Sequence, residues 1–391
     1  MSRKTIIVPK GQRAKAREGS PWIFSNEIRM DQAAKALSPG ALVNVRGEDG
    51  RAFGTGYFNP KSLIAVRLLA QDCDVAIDAS FFTERLRRAL ALRSAIYDKP
   101  FYRLFHAEGD GVPGLVIDRF DDHVTVQIGT AGMEKQIQSI AAALEDVLKP
   151  KTIILRNDAP SRALEGLDAY VKAFKGEAKR IAVEENGARY IADLSEGQKT
   201  GWYYDQRDNR AFIAPFAKGK SVLDAYSYTG GFGILAAKAG AKDVVCLDSS
   251  APALAIAEES ARMNGVRIKP VKADVFEELE RLKAAGESFD IVLADPPPFV
   301  KSKKDLEPGA KAYRKLARLA ADVTAPGGVL MVASCSHNIP PERFAAECAQ
   351  GLLRAGRKAA MIRQAGAGPD HPVHPLLPES AYLKAIVYAL D

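Results

Sequence analysis

The hydrophobic pattern of the chain changes character twice. Over residues 1–75 the apolar residues fall in short runs, Ala41–Val45, Ala52–Phe58 and Leu63–Leu69. Pro39-Gly40, Glu48-Asp49-Gly50 and Asn59-Pro60 separate these runs, and such dipeptides and tripeptides are turn chemistry. A β-rich module is predicted. From Phe81 to Tyr97 the apolar positions (Phe82, Leu86, Leu90, Ile96 and Tyr97) follow a helical period, with Asp78 or Ser80 as N-cap. Strands at Leu115–Asp118 and His123–Ile128, a helix over Glu134–Leu148 and a strand at Thr152–Leu155 complete a mixed α/β segment that runs to about residue 185.

From about residue 220 the alternation becomes regular. Strands are predicted at Ser221–Asp224, Asp243–Leu247, Ile268–Val271, Phe289–Ala294 and Gly328–Ala333. Helices are predicted between them at Phe232–Ala239, Ala251–Asn264, Val275–Ala285 and Ala310–Val323. This order implies a parallel sheet with helices on both faces. A late strand, Tyr382–Leu390, follows punctuation by Pro369, Pro372, Pro375 and Pro378. Three domains result, 1–75, 76–185 and 186–391, in keeping with a chain of 391 residues.

Composition narrows the picture. Hydrophobic residues make up 47% and charged residues 26%, ordinary for a folded chain, and no apolar stretch is long enough to span a bilayer. The basic start lacks an apolar region, so a secretory signal is not expected. Four widely spaced cysteines without a C-x-x-C pair argue against a zinc site or a disulfide framework and for a reducing cytoplasm. No metal is expected. A formal charge of +7 is compatible with a polyanionic partner. Lys10, Arg13, Lys15 and Arg17 precede Trp22 and Phe24, which reads either as an RNA-binding barrel or as a solvated basic edge.

The first strand of the regular segment leads into Asp224-Ala-Tyr-Ser-Tyr-Thr-Gly-Gly-Phe-Gly233 and then a helix. Gly230 and Gly231 let the backbone approach a ligand and expose amides at a helix N-terminus, with Tyr226 and Thr229 beside them. A carboxylate at Asp224 would repel a pyrophosphate but suits a cationic amine. Asp248, ending the second strand, can accept from both hydroxyls of a ribose, and Asp274, after the third, can hydrogen-bond an adenine amino group. An amine, a ribose and an adenine together describe S-adenosylmethionine, bound where parallel sheets bind ligands, outside the carboxyl ends of the strands.

Two chemical turns follow. Asp295-Pro296-Pro297-Pro298-Phe299 presents a carboxylate, carbonyls that no ladder consumes, and an aromatic ring for a base. Ser334-Cys335-Ser336-His337 presents a thiol from the fifth strand. C5 of a pyrimidine is a poor nucleophile until a thiolate adds to C6. Cys335 is therefore the candidate nucleophile, with Asp295 beside it, and His337 is a loop hydrogen-bonder or a proton shuttle. Cys246 and Cys348 read as small buried hydrophobes. Lys301, Lys303, Lys304, Lys311, Arg314 and Lys315 form a basic stretch that either meets phosphates or is a solvated helix start.

Together these motifs resemble the RlmI-type class I S-adenosylmethionine-dependent 23S rRNA (cytosine-C5) methyltransferases, over nearly the whole chain. Pro21-Trp-Ile-Phe-Ser25 resembles that family's N-terminal PUA module, and Gly109-Asp-Gly-Val-Pro-Gly-Leu-Val-Ile-Asp-Arg119 a signature of its middle domain. The stretch from Gly197 to Arg210 is similar to the segment leading into the methyltransferase domain, which makes Lys199, Thr200, Asp205, Gln206 and Arg207 candidates for the cofactor pocket. Asp370-His-Pro-Val373 and Tyr382-Leu-Lys384 match C-terminal elements of the family. The resemblance implies a Rossmann-like C-terminal domain with a mostly parallel seven-stranded sheet, a PUA β-barrel and a small α/β middle domain. It further implies that Pro296, Pro297, Phe299, Lys301 and Lys303 meet a substrate in 23S rRNA or a large-subunit precursor. It leaves a homodimer open.

The chain departs from the family at Ser20, where many relatives have histidine, and at Pro298, an uncommon third proline. Many RNA C5-methyltransferases carry a second cysteine in the Asp-Pro turn. Here that place falls on Pro298, so another base, Asp295 or a water it holds, must remove the C5 proton. Methylation of guanine N7 or of an exocyclic amine is the alternative chemistry. An RNA-binding assembly factor without catalysis is the alternative class.

Overall fold

The computed structural model describes residues 3–10, 18–177, 180–197 and 200–391. Arg13, Lys15, Arg17 and Lys199 lie outside the described residues. The chain divides into two compact units. One comprises residues 1–181, 193–202 and 369–380, and the other residues 182–192, 203–368 and 381–391.

The first unit holds two five-stranded sheets. The N-terminal sheet consists of β1 (Lys4–Val8), β2 (Trp22–Ile23), β3 (Ala41–Gly47), β4 (Ala52–Phe58) and β5 (Val66–Ala70), in the order β1-β3-β4-β5-β2, with a short helix α1 (Gln32–Lys35). Only the β1–β3 pairing is parallel. The run expected at Leu63–Leu69 forms its strand only from Val66, because Leu63 projects into solvent.

Helix α2 (Ala79–Ile96) starts where Asp78 accepts from the Phe81 amide, so of the two candidate N-caps Asp78 is the observed one and Ser80 lies inside the helix. The second sheet comprises β6 (Phe101–His106), β7 (Leu115–Phe120), β8 (His123–Ile128), β9 (Thr152–Asn157) and β10 (Tyr170–Lys175), in sequential order. The single helix expected over Glu134–Leu148 is two, α3 (Ala131–Glu134) and α4 (Ile137–Val147). The loop Gly109–Gly114, which has no evident chemistry in the sequence, has a structural one. Asp110 takes both guanidinium nitrogens of fully buried Arg93 at 2.7 Å each, and also accepts from the His106 amide. A buried arginine left without such a partner would cost several kcal/mol, on the order of 3–5.

The second unit includes most of β11 (Arg180–Glu185) and β12 (Ala188–Asp193), which pair as a hairpin, and α5 (Arg207–Ile213). Its seven-stranded sheet is built from β13 (Ser221–Ala225), α6 (Gly231–Lys238), β14 (Asp243–Asp248), α7 (Ala251–Met263), β15 (Lys269–Lys272), α8 (Val275–Ala284), β16 (Phe289–Ala294), α9 (Leu306–Asp322), β17 (Thr324–Ser334), α10 (Pro341–Arg354), β18 (Ala359–Ala365) and β19 (Lys384–Leu390). The strand order is β15-β14-β13-β16-β17-β19-β18, parallel except for β19, which runs antiparallel to both β17 and β18. Consecutive residues of each strand serve opposite faces, as the two-residue period requires. Leu223, Val292 and Leu330 join the core under α8, α9 and α10, while Val222, Leu293 and Met331 join the core under α5, α6 and α7. The order turns back at β13, whose neighbours are β14 and β16, so the crevice for a ligand opens at their carboxyl ends.

Candidate active site

The loop after β13 is held in conformations that side chains rarely adopt. Tyr226 and Tyr228 have φ of 61° and 49°, and Gly230, the N-cap of α6, has φ of 79°. Non-glycine residues there cost about 1–3 kcal/mol each, and such strain concentrates at functional sites. Gly233 is required for a different reason, since a Cβ on it would lie 2.7 Å from Cys246 Sγ. The same approach lets the Gly233 amide donate to Asp224 Oδ2 at 2.8 Å. The strain is thus fixed by a buried carboxylate and by the close packing of α6 on β14.

Asp224 itself is buried, and burial pushes its carboxyl from 3.8 up to about 7; the Gly233 amide opposes the shift, and the nearby Asp295 and Asp248 charges add to it. Asp248 accepts from the Tyr228 amide at 2.9 Å through Oδ2 and from the Ser250 amide at 2.8 Å through Oδ1. A carboxylate has about four lone-pair sites, so one per oxygen is left for a pair of hydroxyls. Asp274 is exposed and caps α8, accepting from the Glu277 amide at 3.1 Å.

Whether this cradle fits S-adenosylmethionine is tested by what it leaves unsatisfied. Thr229 Oγ1 and Gln206 Nε2 are buried without a hydrogen-bond partner. Buried polar atoms are ordinarily paired, so unpaired ones in a strained loop and beside it are what a polar ligand would satisfy. The donor set fits a ligand carrying an amine, a carboxylate and a ribose.

The segment before and along α5 distributes the residues inferred from the family resemblance unevenly. Asp205 Oδ2 accepts from the Tyr382 hydroxyl at 2.6 Å, and Gln206 Oε1 accepts from Asn209 Nδ2 at 2.7 Å. Arg207 is buried and pairs with Glu185 at 3.3 Å, as does Arg210 at 2.7 Å, which anchors α5 to the hairpin. Thr200 belongs to the first unit, where its hydroxyl donates to the Trp202 carbonyl at 3.4 Å.

Both chemical turns emerge at the same sheet edge, because β16 and β17 are adjacent parallel strands. The Asp295 amide donates to the Ala225 carbonyl at 3.3 Å, which sets the Asp-Pro-Pro turn against the end of β13. Cys335 Sγ is half-buried, 4.0 Å from the Pro296 carbonyl oxygen. Pro296 is buried and Pro297 exposed. Phe299 is half-buried, its ring centroid 4.7 Å from Tyr313 and 5.9 Å from Phe276, so two aromatic neighbours hold its ring in place. Lys301, Lys303 and Lys304 are exposed, whereas Arg314 pairs with Glu347 at 2.6 Å and Lys315 with Glu280 at 3.0 Å.

Three residues that sequence reasoning gave no role organise the turns. The Tyr313 hydroxyl, buried on α9, accepts from Ser334 Oγ at 2.8 Å and shares a hydrogen bond with Ser336 Oγ at 2.8 Å. Ser336 Oγ in turn accepts from the Val300 amide at 3.2 Å, which ties the Asp-Pro-Pro turn to the cysteine turn. Tyr203, whose hydroxyl is pushed far up by burial, faces the charges of Asp295 and Cys335. Lys384 donates to the Ser336 and Ile339 carbonyls at 2.6 and 3.1 Å. Removing the Tyr313 hydroxyl takes one hydrogen bond from each of two buried serines. Tyr313→Phe is therefore expected to lower stability by about 1–2 kcal/mol in urea unfolding, with cofactor binding unchanged.

Strand order, strained glycine turn, acidic row and paired turns define a Rossmann-like methyltransferase. The model of the S-adenosylmethionine-dependent methyltransferase family matches residues 103–388, and that of the PUA-like domain residues 6–71. The chain belongs to this S-adenosylmethionine-dependent methyltransferase family and is an enzyme, which sets aside the non-catalytic alternative. Relatives named ribosomal RNA large subunit methyltransferase I match it nearly end to end. The protein of Shewanella denitrificans is 38% identical over 390 residues and that of Aeromonas salmonicida 37%, each match covering 98% of both chains. Two solved structures share the whole fold at 21% identity. One, described as a SAM-dependent methyltransferase from Streptococcus mutans, covers 99% of this chain and 100% of its own with a TM-score of 0.83. The other, a methyltransferase complexed with SAH, has the same coverage and a TM-score of 0.85. No helix of the described residues is long and apolar enough to cross a membrane.

Proposed function

We propose that the enzyme methylates C5 of one cytosine in 23S rRNA, in the cytoplasm, through a covalent adduct between Cys335 and C6. The observation that carries this reading is the half-buried Cys335 thiol at the cofactor edge of the sheet, 4.0 Å from the Pro296 carbonyl of the Asp-Pro-Pro turn. Enzymes that methylate an exocyclic amine need an acceptor for the amino group and no nucleophile. A thiol on a turn shaped by three buried hydroxyls, beside the Asp-Pro-Pro turn, supplies the nucleophile that C5 chemistry requires. The names of the relatives support ribosomal RNA of the large subunit as the substrate class.

In this reading Asp224, Thr229, Gly230, Gly231, Asp248 and Asp274, with Asp205 and Gln206, hold the cofactor. Pro296, Pro297 and Phe299 form the floor under the base, and exposed Lys301 and Lys303 meet phosphates. The Cys335 thiolate adds to C6, forming an S–C6 bond and moving the C5=C6 electron pair to C5. C5 takes up the electrophilic methyl group that bound S-adenosylmethionine would supply, the sulfonium–methyl bond breaking to leave S-adenosylhomocysteine. Asp295, or a water it holds, then removes the C5 proton; the C5=C6 bond re-forms and the S–C6 bond breaks, returning the thiolate.

Nucleoside mass spectrometry of rRNA from a strain lacking the gene, with mapping of the affected position, tests the reading. One 5-methylcytidine of 23S rRNA is expected to disappear. Loss of N7-methylguanosine or of an N-methylated amine instead would replace cytosine C5 by that atom.

A further inference from the structure

Lys384 is a buried cation that no carboxylate among the described residues neutralises. It lies on β19, and the antiparallel register of β17 with β19 pairs it with Ser334, the residue before Cys335. Its residue is 8% exposed. Its ammonium group donates to two carbonyls of the turn that carries the thiol, those of Ser336 and Ile339. No carboxylate of the described residues pairs with it. Burying such a charge costs several kcal/mol, which two carbonyl dipoles offset only in part.

We propose that Lys384 is the positioning residue of the cysteine turn and the cation that favours the Cys335 thiolate. The proposal rests on the covalent reading of Cys335 and adds to it the source of the nucleophile's charge. Each element packed around the thiol brings a titratable group. Tyr203 precedes α5 and Tyr313 lies on α9; both hydroxyls are pushed up by burial and stay neutral near pH 7. Asp295 follows β16 and, when ionised, opposes a second negative charge. His337, on the turn itself, is exposed, with its ring 5.2 Å from that of Tyr382. Lys384 is thus the buried cation among them, positioned from the strand opposite. Burial pushes its ammonium down to about 8, and the Cys335 charge pulls it back up, so the two protons are linked. A cation beside a thiol lowers the thiol's pKa and raises its thiolate fraction.

Alkylation of the full-length protein by iodoacetamide, followed per cysteine by peptide mass spectrometry across pH, reads this without RNA. Cys73, half-buried in the first unit, is the internal reference, and Cys246 and Cys348 are buried. In the wild-type protein the midpoint of Cys335 is expected at least about one pH unit below the ordinary thiol value near 8.5. Lys384→Met should raise it by about one unit, roughly a tenfold loss of alkylation rate at neutral pH, while Lys384→Arg keeps the wild-type midpoint. A Lys384→Met midpoint equal to the wild type overturns the proposal. So does a wild-type Cys335 midpoint no lower than that of Cys73, even if no variant folds. The titration reports on the free thiol, so turnover retained after removal of Cys335 would defeat the covalent reading without altering this result.

Discussion

Cys335→Ala is expected to reduce methyl transfer to rRNA by at least about 10⁴-fold while S-adenosylmethionine binding stays within about twofold of wild type. The size of the effect follows from the chemistry. Without an S–C6 bond, C5 stays part of an electron-poor ring and has no pair to offer a methyl donor. The small effect on binding follows from the architecture. Cys335 follows β17, whereas the acidic row proposed to cradle the cofactor comes from the ends of β13, β14 and β15. Stability should change little, because the thiol is half-buried, and the Tyr313, Ser334, Ser336 and Val300 bonds that shape the turn do not use it. Transfer of labelled methyl groups to rRNA measures the first quantity and calorimetry the second. RNA carrying 5-fluorocytosine at the target position provides a second readout. Its C5 fluorine cannot leave as a proton does, so wild-type enzyme should accumulate a denaturation-resistant adduct that Cys335→Ala does not form. Turnover by the alanine variant near the wild-type rate would eliminate the covalent route and return the choice to guanine N7 or an exocyclic amine.

What was legible in the sequence shares one physical property: it is local. Asp224, Asp248 and Asp274 can be read because each stands at or just past the carboxyl end of a strand of a parallel sheet, and such a sheet brings strand ends together whatever the distance in sequence. The Asp-Pro-Pro and Ser-Cys-Ser turns can be read for the same reason. Lys384 cannot. It looks like one polar residue opening a late apolar strand, and only the register Ser334 to Lys384 reveals what its ammonium faces. Tyr313 reads as one more apolar position on an amphipathic helix, because periodicity does not register its hydroxyl. Arg207 lies in a motif that the family resemblance ties to the cofactor pocket, and its ion pair with buried Glu185 on a separate hairpin is equally invisible to local pattern. The edge strand β18 escaped because Ala359–Ala365 is exposed at most positions and offers no alternation to read.

The carboxylate at the switch point makes the last prediction, in which stability and function change in opposite directions. Burial raises the Asp224 carboxyl from 3.8 to about 7 in the folded protein. Between those values the folded chain keeps a proton that the unfolded chain has lost, so the folded state binds more protons and stability falls as pH rises. The penalty is absent below about pH 4, grows across the window and is complete above about pH 7. Asp224→Asn removes the charge and keeps an oxygen for the Gly233 amide. The ligand-free variant should therefore be more stable than wild type by about 2–4 kcal/mol near pH 8, with no difference near pH 4. Chemical denaturation at the two pH values measures this. Binding should move the other way. If the ionised carboxylate faces the cofactor's amine, S-adenosylmethionine relieves the burial cost, and wild-type affinity rises from about pH 6 to pH 7.5, below the range where an α-amino group loses its proton. Asp224→Asn should bind roughly tenfold or more weakly near pH 7.5, without that rise. Equal affinity in both proteins across the window would mean that Asp224 serves the loop through Gly233 alone, and that the amine is held by another part of the cradle.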